Sequence, residues 1–378
     1  MAARRTALLT PPDVLKDRMP IWFRHPGYPD DNLLIKFPRV EAAGTIPTEQ
    51  YGIRHQVALL ACQIIAGNAF TGYLVDEQHE RVLVGLDGVL LGNTYYFVID
   101  GQDNYAIIPS FQDWEYPHSY NSSLQWPGIQ EGIDSNHCAI TRYTSALEKA
   151  HLVPREEQAW FNQNGMRAYG GDTEPNNIDT PSNLISIRAD LHTLFDQRWF
   201  VVFPCPEYRV YVIQQRASRI VNDIHDVPVC LSGVVAPFLF TRFAWAVLFA
   251  VKGFVTGQQS RKVRVRNTKT TPGEPKYITT IMSGEELQIR YGGGGSKAAT
   301  PISKRSRSLA DDRSVNSDDE EDPLLWPGGI MEEWSARSRR AIAGSSETTA
   351  PLPGKDESEL YKSLSAVLGE TKMGMDKE

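Results

Sequence analysis

Residues 147–154 read LEKAHLVP and residues 183–196 read NLISIRADLHTLFD, so two separate segments each carry a histidine, His151 and His192, among acids. The spacing suggests a small metal site built from both. Hydrolysis of a phosphodiester needs a base for the attacking water, stabilisation of the added negative charge, and an acid for the leaving oxygen. A neutral imidazole suits the first task, because its pKa lies near the working pH. A divalent ion held by imidazole and carboxylate suits the other two.

The elements that must hold these groups are legible locally. SALEKAHLVP predicts a strand ending at His151 and stopped by Pro154. ADLHTLFD predicts a short helix with Asp190 near its start. His192 and Asp196, four apart, then share one face and form a hard pair able to hold Mg²⁺, Mn²⁺ or Zn²⁺. Asp196 has a blander alternative, an ion pair with Arg188 or Arg198. Asn183 is placed to bridge strand and helix by side-chain hydrogen bonds; a turn role after Pro181-Ser182 is its alternative. WFVVFP and YRVYVIQ, separated by CPE, predict a hairpin.

Taken together, AHLVP … NLISIRADLHTLFDQRWFVV resembles the HNH nuclease domain of the ββα-metal (His-Me finger) fold, in a subgroup common in fungal proteins. The preceding CAITRYTSALEKA resembles the first strands of that subgroup, and the resemblance covers residues 136–204. It implies that His151 is the general base, that Asn183 fixes the loop around it, and that His192 is the metal ligand on the helix. Asp196 falls where some members have a further ligand. The position before the base, often a ligand in this family, is Ala150, which cannot ligate. Glu148, two residues back on the same strand face, is the substitute donor. The Cys pair that staples many such domains with zinc is absent.

The bulk numbers fit this reading. A chain of 378 residues with 41% apolar and 10% aromatic content is long enough for two globular domains. The net charge of −7 excludes a general nucleic-acid coat but leaves room for a local basic groove. Between Arg209 and Lys269, basic residues outnumber acids, and Arg188, Arg198, Arg216 and Arg219 are the candidate nucleic-acid contacts. A solvated basic face is the alternative. Four scattered cysteines fit a reducing compartment. The N-terminus lacks the apolar core of a secretory signal and is only a weak mitochondrial presequence. Residues 233–251 are apolar but interrupted by Pro237 and Arg242, which predicts a buried helix rather than a membrane span.

The expected organisation is α+β. Residues 1–30 form an irregular segment, and 31–115 an α+β domain with a small antiparallel sheet against a helix at 51–68. A loop at 101–135 leads to the ββα-metal nuclease module, residues 136–256, with its covering hairpin and apolar helix. Residues 257–356 read as a basic, then acidic, disordered linker. Residues 357–371 form a short amphipathic helix that suits a protein partner; a merely marginal helix is the alternative. KRSR (304–307) and RKVRVR resemble nuclear-import runs, and Ser314 and Ser317 precede DDEED as candidate phosphorylation sites. The expectation is therefore an intracellular protein of nucleus or cytoplasm, with no membrane contact. It cleaves DNA with one divalent metal ion; RNA stays open, since a phosphate groove alone does not distinguish the sugars. The alternative is a catalytically weak or inactive HNH-fold nucleic-acid-binding or interaction protein, motivated by Ala150.

Overall fold

Alternating burial starts earlier than the proline-rich N-terminus suggests. The computed structural model describes residues 15–44, 50–120, 126–129, 136–170, 178–268 and 275–292, all within one structural unit, Met1–Asp322. In β1 (Ile21–Arg24), Ile21 and Phe23 point inward and Trp22 and Arg24 are half-exposed. This corrects the expectation that residues 1–30 are irregular: a strand needs only a short alternating run between prolines. β1 pairs antiparallel with β2 (Leu33–Phe37). Then come β3 (Glu41–Ala42), β4 (Tyr51–Arg54) and helix α1 (His55–Ile65), which runs directly on from β4.

β5 (Tyr73–Val75), β6 (Val89–Leu90) and β7 (Thr94–Val98) complete two sheets of order β2-β1-β7-β5 and β3-β4-β6. The first is mixed, because β1 and β7 run parallel. The purely antiparallel expectation is corrected on that point. RVLVGL forms no strand; Leu83, Val84 and Leu86 stay exposed, and only Arg81 bridges to Val75.

The aromatic stretch that follows is core rather than an open loop. Trp114 stacks on Trp160 with centroids 5.4 Å apart and planes 4° from parallel. The Trp160 indole donates to the carbonyl of Trp114 at 2.7 Å, and the Trp114 indole donates to Asn68 Oδ1 at 2.8 Å. Burying two indoles is favourable because each N–H finds an acceptor.

The ββα unit is built from β8 (Leu147–His151), β9 (Leu184–Arg188) and α3 (Ala189–Asp196), with α2 (Gln158–Gln163) in the long connection. β8 and β9 pair antiparallel, His151 opposite Leu184 and Ala150 opposite Ile185. Helix α3 packs on both strands through buried Leu191, Leu194 and Phe195. CAITRY, expected as strand, forms turns instead, tied to β9 by the Ala139 N–H donating to Ser186 O at 2.8 Å.

The expected hairpin is present as β10 (Phe200–Pro204) and β11 (Tyr208–Val212). After α4 (Val221–Ile224) comes α5 (Ala236–Ala250), apolar on nearly every side and packed on α1 and β10. Pro237 sits in its first turn, where its missing N–H costs nothing. No described helix is long and apolar enough to cross a membrane.

After α6 (Lys252–Val255), the chain forms β12 (Arg261–Arg266) and β13 (Tyr277–Met282), then α7 (Gly284–Leu287). This corrects the disordered linker expected from residue 257 onward. Arg261, Val263 and Val265 are buried, and β12 bridges to Ile107. The acidic run, both serines, KRSR and the C-terminal amphipathic segment lie outside the described residues.

Candidate functional site

Asn183 organises the site from within. Its residue has no exposed surface, and its amide nitrogen donates to Val153 O at 3.0 Å and Ile178 O at 2.8 Å. Its Oδ1 accepts from the Val153 N–H at 2.8 Å, and its backbone carbonyl accepts from the Leu152 N–H. An amide carries two donors and an acceptor, so it makes all three bonds where a carboxylate, with no donor, or a hydroxyl, with one, cannot. The expected bridge from strand to helix is replaced by a bridge from the His151 loop to residues 178–183.

His151 closes β8 and remains half-buried. Its Nε2 is 2.7 Å from Asp179 Oδ1, and Arg155 grips the same carboxylate at 3.0 and 2.6 Å. Hydrogen bonds from Arg155 and then His151 hold the Asp179 carboxyl below its usual range. A carboxylate on Nε2 fixes that nitrogen as the N–H and leaves Nδ1 basic. Asp179 was not found from sequence, because it lies in a long connection with no periodicity to place it.

His192 stands on α3 between two acids. Its Nδ1 is 2.7 Å from Glu148 Oε2 of β8, and its Nε2 is 3.2 Å from Asp196 Oδ2 one turn on. Hydrogen bonding to Asp196 outweighs burial and, with Glu148, raises the imidazole pKa. Burial alone would raise the Asp196 carboxyl, but His192 and Arg242 together hold it low. Glu148 and Asp196 are 51% and 57% exposed. Ala150 is fully buried beneath this surface and offers no donor.

Imidazole with two carboxylates is the right donor chemistry for a hard divalent ion. The present arrangement is one of hydrogen bonds, with each acid on a different ring nitrogen. Among the described residues no group of three or more His, Cys, Asp or Glu is placed to hold a metal ion.

Arg242, read from sequence as an interruption in a core helix, reaches this site from α5. It is 1% exposed; Nη1 donates to His151 O at 3.3 Å and Nη2 donates to Phe195 O at 2.5 Å, lying 3.5 Å from Asp196 Oδ1. Its guanidinium lies over the Phe195 ring at 3.7 Å. The signal was available: a charge inside an apolar helix must find partners.

The candidate nucleic-acid contacts separate. Arg188 pairs with Asp190 at 2.6 Å and lies over Tyr143, half-buried. Arg198 lies on Trp245 and Phe249 at 3.6 and 3.9 Å. Arg216 and Arg219 are exposed, the former donating to Gln197 O. Arg242 and Arg261, from the same basic run, are buried and cannot reach a solvent-borne phosphate.

No curated protein and no solved structure matches the chain. A family model described as HNH endonuclease matches residues 138–202, the segment that carries His151, Asn183, His192, Glu148 and Asp196.

Proposed function

We propose that this protein is a metal-dependent HNH endonuclease that hydrolyses phosphodiester bonds in DNA. The observation that carries the reading is the pairing of each surface histidine of the ββα unit with a carboxylate, His151 with Asp179 and His192 with Glu148 and Asp196. His151 takes the proton of the attacking water at Nδ1, with Asp179 stabilising the imidazolium that forms. Asn183 holds the loop that aims the ring. His192, Asp196 and Glu148 would hold one Mg²⁺, Mn²⁺ or Zn²⁺ ion. The chemistry such an ion supplies when bound is Lewis-acid stabilisation of the phosphoryl and leaving oxygens. Arg216 and Arg219 offer exposed charge for the backbone, with Arg188 and Arg198 beside the module.

The second reading is an HNH-fold nucleic-acid-binding protein with weak or no cleavage. Ala150 and the divergent placing of Glu148 and Asp196 around His192 favour it. A supercoiled-plasmid nicking assay with Mg²⁺, Mn²⁺, Zn²⁺ or EDTA separates the two. Metal-dependent nicking supports the nuclease; folded protein that binds DNA without nicking it in any metal supports the second reading.

A further inference from the structure

A cleft of about 680 Å³ opens between the loop at Pro109–Asp113, the entry to α2, the end of α5 and the segment after α7. That is the size of a small-ligand site. Two acids line it, and both are consumed by the protein. Asp113 accepts from Ser110 Oγ, Tyr291 OH and the Arg266 N–H. Glu157 accepts from the Trp245 indole at 3.0 Å and from Gln112. Burial also pushes the Glu157 carboxyl up to about 7, which lowers its negative charge near neutrality.

Of the four bases that line it, Arg290 pairs with Asp113 at 3.6 Å and Arg266 donates to Gln163, while Arg198 and Lys252 are in the opposite condition. Arg198 leaves the end of α3 in a left-handed conformation, φ 64°, that lays its side chain against Trp245 and Phe249. Stacking uses the faces of the guanidinium and leaves its edge donors. Among the described residues no hydrogen bond or ion pair holds that side chain, and its Nε is buried without a partner. Lys252, at the start of α6, lines the same cleft, also without an ion pair among the described residues. Phe249 is 41% exposed at the edge, a free ring face or edge beside unspent positive charge.

Unpaired donors, positive charge and an exposed aromatic ring suit a planar group carrying an anion. We propose that this cleft binds the phosphate of a nucleotide unit, with Arg198 and Lys252 on the phosphate and Phe249 against the base. The nucleotide is either free or part of a strand; the chemistry of recognition is the same. The site is separate from the His151 and His192 chemistry and does not require that the protein cleave.

Isothermal titration calorimetry of the full chain in EDTA tests it, with ADP and a short single-stranded oligonucleotide as probes. Arg198→Gln keeps a planar stacking group without the charge, Lys252→Glu reverses a half-exposed charge, and Lys36→Gln, the exposed position of β2, is the control. The expected result is ADP binding weakened about tenfold or more by either cleft variant and unchanged by the control. Displacement of ADP by the oligonucleotide then identifies a strand, and simultaneous binding identifies a free nucleotide. No heat with ADP, or equal weakening by Lys36→Gln, overturns the proposal. Lys252→Glu decides the matter if Arg198→Gln does not fold.

Discussion

Arg242 donates to the main-chain carbonyl of His151, so a helix distant in sequence fixes the end of the strand that presents the proposed base. The same guanidinium reaches Phe195 O and Asp196 on α3. Burial lowers its pKa to about 9, with Asp196 opposing that shift. Arg242→Met is expected to remove one donor from each of two carbonyls and from the Asp196 carboxylate and to cost about 1–3 kcal/mol in urea unfolding. Arg242→Lys should recover only part of this, since one ammonium cannot fork to both elements. A loss below about 1 kcal/mol for the Met variant would show that the bridge does not hold the elements together.

Asn183→Ala removes the side-chain staple while leaving the β8–β9 ladder in place. The expected cost is about 2–4 kcal/mol, from three buried hydrogen bonds and the backbone groups they leave unpaired. Hydrogen exchange should rise at Val153, whose N–H donates to the Asn183 side chain. Unchanged protection at that amide would contradict the assigned role.

Cleavage should depend on both histidines. His151→Ala and His192→Ala are expected to reduce plasmid nicking about a hundredfold or more while the circular dichroism stays that of the parent. Asp179→Asn should retain the fold and lower the rate about tenfold or more, because the ring loses its carboxylate. Nicking that survives both histidine variants would assign the activity elsewhere.

Glu157 makes stability depend on pH. Burial pushes its carboxyl from the ordinary 4.5 up to about 7, so between those values the folded protein keeps a proton that the unfolded chain has lost. Its contribution therefore falls as pH rises through that window and stays low above it. Glu157→Gln should flatten this part of the stability curve and make the variant the more stable form at pH 8, by about 3 kcal/mol at most. Parallel curves for the two proteins from pH 4.5 to 7 would show that Glu157 does not titrate there.

Elements whose periodicity and chemistry agree were readable from the chain. ADLHTLFD is α3, and the β10–β11 hairpin and α5 lie where their patterns place them. The His192–Asp196 pair follows from helical spacing alone. What could not be read depends on contacts between distant segments. Asp179 reaches His151 from a loop, and Arg242 reaches it from a helix outside the segment matched by the family model. RKVRVR misled in a different way: its alternation marks β12, but its charge suggested a solvated linker. Arg261 is nonetheless buried, donating to the carbonyls of Phe254 and Asp31.

The Trp114–Trp160 stack and the reach of Arg242 bear on how portable the motif is. A fragment trimmed to residues 138–202 would carry the histidines but lose the indole beneath α2 and the guanidinium behind His151. Grafting the motif into another scaffold would therefore require its flanking loop and roof helix to travel with it.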